Sequence, residues 1–106
     1  MFIAMNNFKV AVGKAEDFEQ IWKGRETHLH NVPGIVRFSL LRGDSGEYIS
    51  HSTWESRAAF TAWTQSEAFG AGHRGAGSLM GVLTGPPAVT LYDSVIEQEF
   101  AATAKP

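Results

Sequence analysis

Strand-like and helical stretches in the order β-α-β-β-α-β predict an α+β domain built on an antiparallel sheet. Three observations carry that expectation. Four segments (2–10, 35–42, 48–54 and 88–96) have the length, side-chain alternation or β-branched and aromatic content of strands. Two others, 13–29 and 56–73, bring apolar residues round at helical spacing. The joints between them are written in turn residues, "NVPG" at 31–34 and "GDSGE" at 43–47.

Taken in order, "FIAMNNFKV" (2–10) sets Phe2, Ala4, Asn6, Phe8 and Val10 on one face and Ile3, Met5, Asn7 and Lys9 on the other. In "GKAEDFEQIWKGRETHL" (13–29), Phe18, Ile21, Trp22 and Leu29 share a stripe, and Glu16, Asp17 and Glu19 suit the positive end of a helix. "IVRFSLLR" and "YISHSTW" flank the 43–47 loop as a hairpin. Ser56 is placed to cap a helix running through Trp63, and Ser66 to cap a second one holding Phe69 and His73. Six glycines between Gly70 and Gly85 predict a mobile loop, and "AVTLYDSVI" closes the sheet. This is the split order of a ferredoxin-like domain.

The chain's 106 residues suit one domain, read as 1–98 with a C-terminal tail at 99–106. A net charge of −2 argues against nucleic acid or an anionic membrane as partner, since both need a basic surface. The absence of cysteine excludes disulfides, thiolate nucleophiles and zinc-thiolate centres. No apolar run approaches a membrane span, and "MFIAMNNF" lacks the features of a secretion signal, so a cytoplasmic protein is expected. "IVRFSLL" and "AVTLYDSVI" carry apolar residues on both faces, whereas the helices of this topology cover one. A homodimer, the two sheets packing as a barrel, is the economical way to cover the other.

Asn6 stands out, a carboxamide on an otherwise apolar strand face. Buried without a partner it costs about 1–3 kcal/mol, so it is either bonded to neighbouring backbone or aimed into a pocket. Trp63 and Phe60 share one helix, and Phe69 and His73 stand at i, i+4 on the next. Aromatic stripes are usually core, but His73 precedes "RGAG", which leaves room beside an imidazole. His28 and His30 do not share a helix face and have no third ligand beside them, and His51 lies mid-strand; all three read as structural or solvated. No G-x-S-x-G, HExxH, P-loop or dinucleotide fingerprint is present.

"FIAMNNF", "GIVRFSLLRGD", "YISHSTWESRAAFTAW" and "SEAFGAGHR" together resemble the IsdG-type haem-degrading monooxygenases, within the wider antibiotic-biosynthesis-monooxygenase group of dimeric α+β barrels. The resemblance runs from Phe2 to about His73. It implies that Asn6 is the distal hydrogen-bonding asparagine, Trp63 the pocket tryptophan and His73 the axial ligand of the haem iron. It places Arg25 near a haem propionate. Asn7 competes with Asn6 but lies on the opposite strand face. Trp22 and Trp54 acquire no role. The glycine-rich stretch Gly75–Pro87 departs from the pattern. The implied reaction cleaves the porphyrin to a linear tetrapyrrole and frees iron, a chemistry suited to iron acquisition. Haem is both substrate and cofactor, and O2 and electrons from an unknown reductase are required. Two alternatives are a cofactor-independent monooxygenase of an aromatic or quinone substrate and a non-catalytic haem-binding dimer.

Overall fold

A computed structural model describes residues 1–24, 28–73 and 81–100. Its elements are β1 (Phe2–Lys9), α1 (Ala15–Lys23), β2 (Ile35–Arg42), β3 (Glu47–Trp54), α2 (Arg57–Thr64), α3 (Glu67–His73) and β4 (Ala88–Asp93). The strands form one antiparallel sheet in the order β2-β3-β1-β4, as expected of the ferredoxin-like arrangement. Register sets Phe2 beside Trp54, Ala4 beside Ser52, Asn6 beside Ser50 and Phe8 beside Tyr48. These residues share the helix-facing side.

Two aromatic clusters hold the helices to that side. The first gathers Phe8, Phe18, Trp22 and Tyr48, with Phe18 and Tyr48 ring centroids 4.7 Å apart. Val10 and Val82 complete its buried part. The second gathers Phe2, Trp54, Phe60, Trp63 and Phe69 over the far end of β1. Burial of such side chains contributes roughly 1.5–3 kcal/mol each, more than short isolated helices supply for themselves.

Several boundaries fall inside those expected. The first helix stops at Lys23 rather than reaching Leu29: Gly24 caps it, its N–H on Gln20 O, and His28 adopts a positive φ of 58° that no helix accommodates. The last strand ends at Asp93 rather than Ile96: Ser94 makes the final bonds to the first strand, its N–H and hydroxyl both donating to Met1 O, and the ladder goes no further. The part of the glycine-rich stretch from Gly81 onward is not a free loop. Ala11 N–H donates to Val82 O, Thr84 N–H donates to Lys9 O, and Val10 bridges Leu83, so the segment is laid along the end of β1. Gly70 lies within α3. The two serine caps form as expected: Ser56 Oγ accepts from Ala59 N–H and Ser66 Oγ from Phe69 N–H.

A polar clamp supplements the apolar docking of α1. Glu19 accepts Arg42 Nε at 2.8 Å and Arg42 Nη2 at 3.3 Å, and the Tyr48 hydroxyl donates to the same carboxylate. These bonds, the Arg42 guanidinium first, hold the Glu19 carboxyl below the ordinary carboxylate range. The same hydrogen bond to Glu19 pushes the Tyr48 phenol up.

Two outcomes follow from this packing. At Gly34, φ is +85° and an added Cβ would lie 2.4 Å from the Ala59 Cβ. Gly34→Ala is therefore expected to cost about 2 kcal/mol or more in urea unfolding, and an unchanged midpoint would contradict the close approach of this turn to α2. Because the folded-state pKa of Glu19 is depressed, its stabilising contribution is present above the ordinary value of 4.5 and is lost as pH falls through the lowered one. The stability gap between the wild type and Glu19→Gln should be full at pH 7 and close progressively below about pH 4.5. A gap that is constant from pH 7 to pH 2 would contradict the clamp.

Candidate functional site

Between the two aromatic clusters lies a seam, and Asn6 sits in it. Strand alternation puts its side chain on the face of Phe2, Ala4 and Phe8, with Ser50 of β3 on one side and Val89 of β4 on the other. Its Oδ1 is buried and, among the described residues, has no hydrogen-bond partner. Half a turn about the amide bond axis would present the NH2 at the same place, so the seam holds a polar group ready to donate or to accept.

Two polar residues further along this face, Ser52 and Trp54, are satisfied. Trp54 Nε1 donates to Ser52 Oγ at 2.9 Å, and Ser52 Oγ donates to Ala4 O at 3.3 Å. The orphaned Oδ1 of Asn6 thus contrasts with a neighbour one register position away. Asn7, on the opposite face, is also accounted for: its Nδ2 donates to Ala88 O at 3.1 Å and to Thr90 Oγ1 at 3.4 Å, tying β1 to β4.

The floor beside Asn6 is apolar and open. Val89 and Leu91 share its face but remain 61% and 41% exposed, whereas Phe2, Phe8 and Trp54 are buried under the helices. Trp63 belongs to the second cluster, where its ring contacts Trp54 at 5.1 Å, Phe60 at 5.9 Å and Phe69 edge-on at 4.8 Å. Such packing leaves the indole little freedom to rotate. The Phe69 contact also joins α3 to α2, and His73 is the last residue of α3, one turn beyond Phe69. Arg25, assigned to a propionate on resemblance, lies outside the described residues. Among the described residues no cluster of three His, Asp or Glu side chains is arranged to hold a bare metal ion.

Two contributions escaped the sequence reading. Trp54, given no role, is fully buried and is the surface on which Trp63 rests. Trp22, read as part of the first helix's apolar stripe but given no role in the site, stacks on Phe38 of the edge strand at 6.0 Å and so fixes the C-terminal end of α1. Strand alternation could have paired Trp54 with Phe2 in advance. The Trp22–Phe38 stack depends on where α1 crosses β2, which no local pattern encodes.

A four-stranded ferredoxin-like sheet, with a buried and unpartnered asparagine oxygen between two aromatic clusters, defines a small α+β domain. Comparison with known proteins places it further. Residues 1–75 match the sequence profile of the antibiotic biosynthesis monooxygenase family, and the chain belongs to that family. A curated relative from Mycobacterium tuberculosis, "Heme oxygenase (mycobilin-producing)", is 36% identical over 76 residues, covering 68% of this chain and 72% of the relative. Among solved structures, the M. tuberculosis haem-degrader MhuD with two haems in its active site superposes with a TM-score of 0.75 at 28% identity, covering 93% of this chain and all of MhuD. A cofactor-independent oxygenase, SnoaB from Streptomyces nogalater, superposes with a TM-score of 0.66 at 23% identity, covering 91% of this chain and 94% of its own; that likeness extends to the fold alone.

The orphaned carboxamide makes a prediction of its own. A buried polar group without a partner costs the folded protein stability. Asn6→Leu should therefore leave the ligand-free protein as stable as the wild type or more so, by about 1 kcal/mol, in chemical denaturation. A loss of comparable size would mean that Asn6 is bonded within the fold and is structural.

Proposed function

We propose that this chain is a haem-degrading monooxygenase that opens the porphyrin to a linear tetrapyrrole and releases iron, consuming O2 and electrons from an external reductase. The observation that carries the reading is the buried, unpartnered carboxamide oxygen of Asn6 beside the exposed apolar side chains of Val89 and Leu91. Likeness to the M. tuberculosis haem oxygenase and to MhuD supports it.

The residues fit the chemistry of such a substrate. A flat apolar macrocycle suits the Val89–Leu91 floor. In this reading His73 supplies the axial imidazole, and Arg25 supplies positive charge for the propionates. Asn6 donates a hydrogen bond on the distal side, in a setting dry enough for one donor to count heavily. Trp63, braced by Trp54, Phe60 and Phe69, is a rigid surface against which the macrocycle would be held out of plane. Distortion of that kind costs roughly 1–5 kcal/mol, drawn from binding elsewhere on the ligand. Bound haem supplies the oxygen-activating iron and is itself the molecule oxidised.

A homodimer belongs to the same proposal. The sheet face away from the helices carries Ile3, Met5, Leu41, Ile49 and Tyr92, with Leu41 44% and Tyr92 50% exposed, and a second copy of this sheet would cover them. A cytoplasmic setting and a role in iron acquisition complete the reading. No helix among the described residues is long and apolar enough to cross a membrane.

Haem titration tests the assignment. The wild type should give a saturable Soret shift that His73→Ala abolishes, and the Soret band should decay when a reductant and O2 are added. Asn6→Ala should still bind haem but decay on the order of a hundredfold more slowly. No Soret shift would favour cofactor-independent oxygenation of another aromatic, and binding without decay would leave a haem carrier.

A further inference from the structure

On the helix-facing side of the two central strands, one opposed pair differs from the rest. Phe2, Ala4 and Phe8 of β1 are buried there, as are Tyr48, Ser52 and Trp54 of β3, whereas Asn6 and Ser50 are half-buried. Asn6 and Ser50 stand directly opposite each other in the β1–β3 ladder. Opposed residues on one face of an antiparallel pair have Cβ atoms about 4.5–5.5 Å apart. The row continues into aliphatic side chains on both sides, Leu40 of β2 beyond Ser50 and Val89 of β4 beyond Asn6. Two adjacent polar side chains therefore interrupt an apolar row, at the place where this face of the central strands is only partly covered.

Neither member of the pair is bonded within the fold. Asn6 Oδ1 is buried without a partner among the described residues, and the Ser50 hydroxyl makes no hydrogen bond to them either. Two residues along the same strand, Ser52 accepts from Trp54 and donates to Ala4 O. Local bonding is thus open to a serine on this face, and Ser50 does not use it. For packing alone, a β-branched aliphatic side chain would suit a central strand better. A hydroxyl and a carboxamide can each donate or accept, and at this separation both can reach one small polar group set between them.

We propose that Ser50 is a second hydrogen-bonding residue of the site, its hydroxyl acting beside the Asn6 carboxamide on one small polar ligand held over the pair. The inference rests on the haem reading above, in which Asn6 faces the ligand carried by the iron, and adds to it a residue to which the family resemblance gives no role. Two uncharged donors side by side suit a small anion or an oxygen-containing ligand, since each can turn a proton toward it. The porphyrin itself offers no hydrogen-bonding group at its centre once the metal is bound. The hydroxyl of Ser50 is therefore expected to act on the iron's small ligand and to leave the affinity for haem unchanged.

The test uses the full chain loaded with ferric haem, with azide as the probe. Ser50→Val and Ser50→Thr give side chains of nearly the same shape that differ by one hydroxyl. Both are first checked for unchanged circular dichroism and a cooperative melt. Soret titrations should show haem bound by each variant within about twofold of the wild type. Azide titrations of the loaded proteins should show about tenfold weaker binding in Ser50→Val and binding within about twofold of the wild type in Ser50→Thr. Equal azide affinity in the two variants would mean that the hydroxyl does not act, and would overturn the inference. So would a loss of haem affinity as large as the loss of azide affinity, which is the mark of a packing residue, or a loaded wild type that takes up no azide. If either variant fails to fold, Ser50→Ala against the wild type decides by the same criteria. A wild type that gives no Soret shift overturns the haem reading and this inference with it, whereas haem and azide binding indifferent to the hydroxyl overturns this inference alone.

Discussion

Strand β1 fastens the two helical layers to one sheet through Phe2 and Phe8, six residues apart on the same face. At about 3.3 Å per residue this sets their anchors roughly 20 Å apart. Phe8 draws in Phe18 and Trp22 of α1; Phe2 draws in Phe60 of α2, with Trp54 behind both Phe60 and Trp63. Each helical layer is therefore packed at its own end of β1, and Asn6 lies between the two anchors on the same face. The seam exists because one strand serves two cores.

What occupies the seam gives it chemical meaning. Ser52 and Asn6 are both polar residues on the helix-facing side, yet Ser52 accepts from one tryptophan and donates to one carbonyl, while the Asn6 oxygen is buried and unmatched among the described residues. Folding alone would favour an aliphatic residue at position 6. A sequence that retains a carboxamide there gives up stability at one point, and proteins do this where a ligand completes the bonding. The open floor of Val89 and Leu91 follows the same logic, since apolar side chains on a helix-facing surface are left for something else to cover.

Much of this was legible residue by residue. Alternation alone assigned Asn6 and Asn7 to opposite faces, and they are so placed, one in the seam and the other bonded to β4. The serine caps of α2 and α3 could be read because a hydroxyl three residues before an N–H is a local device. Element ends were less legible. The early stop of α1 depends on Gly24 and on the positive φ of His28, and the early end of β4 depends on where its ladder with β1 gives out, at the Ser94–Met1 bond. From Gly81 onward the glycine-rich stretch misled for a related reason: glycine frequency speaks of backbone freedom, while Val82, buried in the α1 cluster, spends that freedom on docking.

By itself the sequence determined the order of elements, the faces of each strand and the residue types available for chemistry, because side-chain period and capping act over a few neighbouring residues. Only the tertiary structure decided that Trp54 braces Trp63, that Glu19 reaches both Arg42 and Tyr48, and that no described neighbour satisfies Asn6. The first two are relations between residues 9 to 29 positions apart, set by where helices cross strands. The crossing is chosen by the packing of two whole clusters, so no short window of the chain contains it.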